Sequence, residues 1–295
     1  MRTVFLGTSE FAAAVLRRLA SSPHRPALVV TRPDRPRGRG RQLAPPPVAD
    51  AARELGIELD QPESVNGDDA RALIARQRPE AVCVCAFGAL IKEPLLSEHE
   101  MINVHPSLLP RWRGAAPIER AIMAGDASTG VSIMRLTAGL DSGPVCLQLE
   151  EPIRAEDTYG TLAERLQGMG AELLVSALDS SPPYAEQDDS SATYAEKITA
   201  EDRALDPART AGELARVVRA LTPHIGAKLV LEDGTVLGIG DARATEATGP
   251  PPGAVSFAGE VPVLGCAAGS LELLAVKPPG RRMMGGAEYL RGRRG

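Results

Sequence analysis

One run of six residues sets the frame: Ala81–Ala86, AVCVCA, is apolar at every position, with no polar alternation. A strand buried on both faces reads this way, and such strands belong to parallel sheets covered by helices on both sides. Around it, short strand-like runs alternate with helix-like periods. Thr3–Leu6 is an apolar run ending at Gly7, and Ser9–Ala20 carries Phe11, Val15, Leu16 and Leu19 at helical spacing, with Thr8 or Ser9 placed to cap it. Ala27–Thr31, Met101–His105 and Gly130–Leu136 read as further strands; Val48–Leu55, Asp68–Gln77, Ala115–Ala124 and Thr158–Leu178 read as helices. The alternation predicts an α/β fold, Rossmann-like, with a mostly parallel sheet and helices on both faces.

The pattern changes after the long helix. SSPPYAEQDDSSATYAEK is rich in Ser, Pro and acid and reads as a linker, placed at 184–204. A helix follows at Ala211–Leu221. Then come runs of about five residues, Lys228–Leu231, Val236–Ile239, Ala254–Phe257, Val261–Leu264 and Leu271–Val276, separated by Gly and Pro, which predict a small C-terminal β-barrel over 205–295. The expected organisation is therefore 1–183, a linker at 184–204, and 205–295, in keeping with about two domains for a chain of 295 residues. No apolar run reaches the roughly 18 residues of a spanning helix, and the N-terminus has no secretory pattern, so no membrane partner and a cytoplasmic location are expected. The cysteines, Cys83, Cys85, Cys146 and Cys266, form no CxxC pair, so neither a zinc ribbon nor a disulfide framework is expected.

A net charge of −5 argues against a general nucleic-acid coat. Two local clusters run the other way. Residues 32–41, RPDRPRGRGR, hold five arginines against Asp34, and the tail holds Lys277, Arg281, Arg282, Arg291, Arg293 and Arg294 against Glu288. Such patches are electrostatic footprints for a polyanion, or simply solvated faces.

The densest chemistry lies in Ile102–Gly143. Strand alternation turns Asn103 and His105 to one face, with Val104 opposite, and Pro106 stops the strand. The pair therefore sits at a strand's carboxyl end, where open α/β sheets bind ligands. An amide and an imidazole converging there make an oxyanion site. Asp141, between Gly139 and Gly143 in a turn-rich loop, is placed to approach His105. Each residue alone has a plainer role: a strand-end histidine, a turn-forming aspartate. Trp112 reads as a loop anchor, and His24 and His99 read as surface-loop histidines. G-x-S-x-G, H-E-x-x-H, the Walker loop and G-x-G-x-x-G are all missing. With no evident enzyme nucleophile, the substrate brings its own. An α-amine, with a pKa of about 7.7–8.0, suits neutral pH.

The segments NVHPSLLPRWRGAAPI and GDASTGVSIMRLTAGLDSGPV closely resemble the folate-dependent formyltransferases, and the resemblance covers nearly the whole chain. VFLGTSEFA is similar to the family's opening strand and turn, VVTRPDRPRGRGRQLAPPPV to its long basic loop, and CAFGAL to part of its folate pocket. YAEKITAEDRALDP resembles its domain junction and VKPPGRRMM the end of its C-terminal barrel. SLLP alone is common; between NVH and RWRGAAP it is specific.

The resemblance implies a catalytic domain at 1–183 and an OB-like, tRNA-binding barrel at 205–295. By it, Asn103, His105 and Asp141 match the catalytic trio, and Ser107, Leu108, Leu109 and Pro110 match the tetrahydrofolate-binding loop. The implied cosubstrate is 10-formyltetrahydrofolate, the acceptor is the α-amine of methionine on initiator methionyl-tRNA, no metal is needed, and the chain is a monomer. On this footing Asn103 and His105 hold the oxyanion, while Asp141 orients His105 and takes the amine's proton, directly or through water. Arg37, Arg39 or Arg41 would meet the tRNA, with Arg39 nearest the family's position and the choice among the three open. Arg281 and Arg282, with Arg291, Arg293 and Arg294, would add sequence-independent contact. Phe257 and Tyr289 are the aromatics beyond residue 204, so base stacking there is expected to be minor.

Three other readings remain at this level: the same chemistry on an amino-sugar nucleotide, hydrolysis of formyl-folate by water, and a non-catalytic tRNA-binding module. The Arg-rich loop and RWRGAAP argue against the first, and the intact trio argues against the last.

Overall fold

The computed structural model describes residues 1–37, 42–247 and 249–294, with only the backbone of Arg37 and Arg294. The chain divides into two compact units. The first comprises Met1–Gly114, Thr129–Glu151 and Ala163–Tyr194; the second comprises Ala115–Ser128, Pro152–Leu162 and Ala195–Gly295. In chain order the elements to residue 105 are β1 (Thr3–Gly7), α1 (Glu10–Ala20), β2 (Pro26–Val30), the hairpin β3 (Arg35–Arg37) and β4 (Gln42–Ala44), α2 (Pro47–Leu55), β5 (Glu58–Asp60), α3 (Asp68–Arg76), β6 (Ala81–Cys85), α4 (Leu95–Glu98) and β7 (Met101–His105). Then come β8 (Arg113–Gly114), α5 (Pro117–Ala124), β9 (Ser128–Arg135), β10 (Val145–Pro152), α6 (Tyr159–Ser180) and β11 (Tyr194–Ala195).

The first unit is built on a seven-stranded sheet of order β10-β9-β7-β6-β1-β2-β5. Strands β5, β2, β1, β6 and β7 are parallel; β9 then pairs with β7 antiparallel. The mostly parallel sheet is thus present. The sequence did not signal β5, which has only three residues, or β10, which is largely exposed. Both faces of the central strands are covered. Val4 and Leu6 of β1 pack with Leu28, Val30, Val82 and Val84, while Phe5, turned the other way, is also fully buried. Each such side chain contributes about 1.5–3 kcal/mol relative to exposure. Ser9 caps α1, its hydroxyl accepting from the Ala12 amide at 3.2 Å. On α6, a Cβ at Gly170 would lie 2.8 Å from Val104 Cγ1, so that helix seats directly on β7. It covers the face opposite Asn103 and His105.

The second unit adds α7 (Ala211–Leu221), β12 (Ala227–Val230), β13 (Val236–Thr245), β14 (Val255–Ser256), β15 (Val263–Gly265), β16 (Ser270–Lys277), β17 (Met284–Gly285) and α8 (Gly286–Arg294). Its strands form an antiparallel, barrel-like sheet of order β12-β13-β16-β15-β14, with β17 on β16. Leu214, Val217, Val218 and Leu221 of α7 close its core against Leu229, Leu237, Ile239, Leu264, Leu271 and Leu273. The run expected at Val236–Ile239 continues through an irregular register to Thr245. The end of the basic tail folds as helix α8. Among the described residues, no helix is long and apolar enough to cross a membrane.

Candidate active site

Strand β7 alternates two polar side chains with apolar ones: Asn103 is 7% exposed and His105 4%. The imidazole Nε2 lies 2.9 Å from the Trp112 carbonyl oxygen. A carbonyl only accepts, so Nε2 carries a hydrogen. The other ring nitrogen, Nδ1, lies 3.7 Å from Asp141 Oδ2, within ion-pair reach and outside hydrogen-bond length. Nδ1 holds a hydrogen toward the carboxylate only in the doubly protonated ring. The same Oδ2 accepts from the Gly114 amide at 2.8 Å. Residues 112–114 therefore touch both partners, one through a carbonyl and the other through an N–H.

The backbone at the site is unusual. Trp112 sits at φ +61° and Asp141 at φ +46°, the left-handed region that side chains such as these occupy at a cost of about 1–3 kcal/mol. The Asn103 amide, in contrast, has no hydrogen-bond partner among the described residues. Nor is it among the buried polar atoms left without a partner, so the amide reaches solvent and a ligand's polar atom can take the place of water there. The adjacent thiols of β6 are poor nucleophiles: burial pushes Cys83 up to about 12 and Cys85 higher still.

The SLLP segment leaves β7 as a pinned turn. Ser107 and Leu109 are buried, and Leu108 and Pro110 are partly exposed. The Ser107 hydroxyl donates to the Arg111 carbonyl at 2.6 Å, so it is spent inside the loop. Two residues that sequence reading missed hold this turn. Ser132 on β9 accepts from the Leu109 amide at 3.0 Å and donates to the Ser107 carbonyl at 2.6 Å. Gln148 on β10 donates to Ser132 Oγ and to the Leu109 carbonyl, both at 2.8 Å. The available signal was a lone hydroxyl inside the apolar run VSIM. Beside it, a Cβ on Gly130 would come within 2.6 Å of Leu108 Cδ2 and 2.2 Å of the Leu149 carbonyl oxygen.

The remaining candidates are placed differently. Arg39 and Arg41 lie outside the described residues, as does the side chain of Arg37. Arg32, at the head of the same cluster, donates to the Gly88 carbonyl at 2.5 Å. In the second unit Arg281 and Arg282 are exposed. Arg293 lies over the Phe257 ring at 4.1 Å, so that ring already has a cationic partner. Trp112 anchors its loop, with Arg111 over its ring at 4.5 Å. His24 is not on the surface: it is 5% exposed, with Nε2 2.7 Å from Asp179 Oδ1. His99 is half-buried, and that burial holds it below the usual imidazole range. Among the described residues, no group of His, Cys, Asp or Glu is arranged to hold a metal ion.

The chain belongs to the formyl transferase family: the family model described as formyl transferase matches residues 1–178, and that described as formyl transferase, C-terminal domain, matches residues 197–294. Its curated relatives include methionyl-tRNA formyltransferases. That of Methylococcus capsulatus is 43% identical over 300 residues, covering 98% of this chain and 96% of the relative. That of Gluconobacter oxydans is 40% identical over 295 residues, covering 99% and 97%. Among solved structures, HypX from Aquifex aeolicus in complex with tetrahydrofolic acid superposes with a TM-score of 0.68 at 17% identity, covering 98% of this chain and 47% of that one. The chain spans about half the length of that larger protein. The N-formyltransferase from Helicobacter canadensis, in complex with folinic acid and dTDP-3-aminofucose, has a TM-score of 0.65 at 15% identity, covering 92% and 98%. At these identities the likeness is one of fold.

Proposed function

We propose that this chain transfers the formyl group of 10-formyltetrahydrofolate to the α-amino group of methionine on initiator methionyl-tRNA, giving N-formylmethionyl-tRNA and tetrahydrofolate. The observation that carries the chemistry is the strand end itself. The unpaired Asn103 amide stands two residues from an imidazole that lies 3.7 Å from Asp141. The acceptor follows from the relatives at 40–43% identity over nearly the full chain.

The amine attacks the formyl carbon, a C–N bond forms, and negative charge moves onto the formyl oxygen. Asn103 meets that oxygen with an uncommitted N–H donor held by β7. His105 adds its ring beside it; its Nε2 hydrogen is shared with the Trp112 carbonyl. Asp141, facing Nδ1, orients the ring and receives the proton that the amine sheds, directly or through water. Collapse breaks the bond to the folate nitrogen, which takes up a proton as it leaves. Ser107, Leu108, Leu109 and Pro110 form the wall for the folate, with Ser107 contributing through backbone shape. Arg37, Arg39 and Arg41 of the basic segment, and Arg281 and Arg282 in the second unit, bind tRNA phosphates. The catalytic segment is 1–183 and the tRNA-binding segment 205–295, joined by 184–204. The working form is a monomer in the cytoplasm.

Formyl-labelled 10-formyltetrahydrofolate, supplied in parallel with methionyl-tRNA, an amino-sugar nucleotide or buffer alone, tests this reading. Label on the aminoacyl-tRNA is the expected result. Label on the sugar, or rapid release of labelled formate in buffer, overturns it. Tight tRNA binding with no transfer reduces the chain to a binding module.

A further inference from the structure

The loop that carries Asp141 is gripped from behind by a residue in the acid-rich stretch after α6. Gln187 Nε2 donates to the carbonyls of Asp141 at 2.8 Å and Gly143 at 2.6 Å. Its Oε1 accepts from Nε and Nη2 of Arg113 at 3.0 and 2.8 Å. Only one orientation of the amide suits this setting; reversed, its N–H groups would face a guanidinium and its oxygen two carbonyls. Arg113 is 3% exposed and its charge is paired with Asp189 at 2.7 Å. The backbone around Arg113 is held too. Thr193 takes the Trp112 amide on its hydroxyl and the Arg113 amide on its carbonyl, both at 2.9 Å.

These bonds close a ring. The Trp112 carbonyl holds the imidazole and the Gly114 amide holds the carboxylate. Between them the Arg113 side chain runs through Gln187 to the backbone of Asp141. We infer that Gln187, seated on Arg113, is a positioning residue that keeps Asp141 in its left-handed conformation and so sets the spacing between carboxylate and imidazole. The inference rests on the roles proposed above for His105 and Asp141. Asp141 at φ +46° holds the left-handed conformation, a minority state of the backbone even for aspartate. Without the two donors from Gln187 the loop relaxes toward ordinary backbone and carries the carboxylate with it. A displacement of about 1 Å at a reacting group is enough for about a hundredfold loss in rate.

Two substitutions and one cycle test it. Gln187→Ala removes both halves of the grip. Gln187→Glu keeps an acceptor for Arg113 but loses the donors to Asp141 and Gly143. Both are expected to lower kcat for formyl transfer about tenfold to a hundredfold, with KM for formyl-folate held within about twofold. In an Asp141→Asn background the further loss from Gln187→Ala should shrink to about twofold, because the two act through one group. Wild-type kcat in Gln187→Glu, or an undiminished loss in the Asp141→Asn background, overturns the inference. Loss in Asp141→Asn with full activity in Gln187→Ala breaks the grip alone. Full activity in Asp141→Asn removes Asp141 from the chemistry and takes both readings down together.

Discussion

Arg113 and Arg282 are the same residue in opposite circumstances. Arg113 is 3% exposed and spends its guanidinium on Gln187 and Asp189. The Arg282 side chain is 81% exposed, with one 3.3 Å contact to Glu288. A surface pair of that kind is worth about 0–1 kcal/mol, so its partner is easily exchanged. The first arrangement fixes atoms; the second offers charge without fixing a position. On the proposed function, chemistry at the end of β7 needs the former, and holding a long phosphate backbone needs the latter. Damage to the first region should therefore appear in kcat, and damage to the second in affinity and its salt dependence.

The largest expected effect tests that contrast at its sharper end. Asn103→Ala should lower kcat by about 10²–10³, or about 3–4 kcal/mol, as measured for loss of a single oxyanion donor. A loss below about threefold in single-turnover transfer would remove Asn103 from that role and leave the strand end without an uncommitted donor. Gly130→Ala comes next. The new Cβ, 2.2 Å from the Leu149 carbonyl oxygen and 2.6 Å from Leu108 Cδ2, forces β10 to move, and with it Gln148, which holds the SLLP turn. Overpacking of this kind costs about 1–3 kcal/mol, and KM for formyl-folate should rise about tenfold as the turn shifts. An unchanged KM would detach that turn from folate binding.

Arg281→Ala and Arg282→Ala probe the other side of the contrast. Each should raise KM for methionyl-tRNA a few-fold with kcat intact, and lower the slope of log affinity against log salt by about one. A fall in kcat with an unchanged salt slope would erase the distinction between the two regions. The smallest effect belongs to Thr210→Ala. Thr210 and Glu213 cap α7 reciprocally, at 3.3 and 2.9 Å. Removing the hydroxyl should cost about 1 kcal/mol in thermal or denaturant unfolding and leave transfer untouched.

How much of this could be read beforehand follows from how local each signal is. AVCVC announces a strand covered on both faces because burial is written residue by residue, while the sixth residue of that apolar run, Ala86, is exposed beyond the strand's end. NVHP announces a polar strand end because alternation and proline act within four positions. Asp141 is brought to His105 through a backbone N–H at Gly114 and a left-handed turn, neither of which side-chain identity reveals. Gln187 lies in a stretch whose Ser, Pro and acid content looks like linker, and its partner carbonyls are 44 and 46 residues away. Ser132 was legible in principle, as a hydroxyl that an apolar strand has no reason to keep. His24 misled because a polar residue near a loop is usually solvated, whereas here the ring is buried and reaches a partner, Asp179, at the surface.

The hydrogen on His105 Nε2 is directed by a main-chain oxygen, and no exchange of side chain at position 112 can delete that atom. The ring's tautomer is therefore inherited through the course of the chain. Sequence drift at 112 can leave the imidazole facing the same way for as long as the bend at φ +61° persists. What descent must preserve there is a curve in the backbone, which a comparison of residue letters does not display.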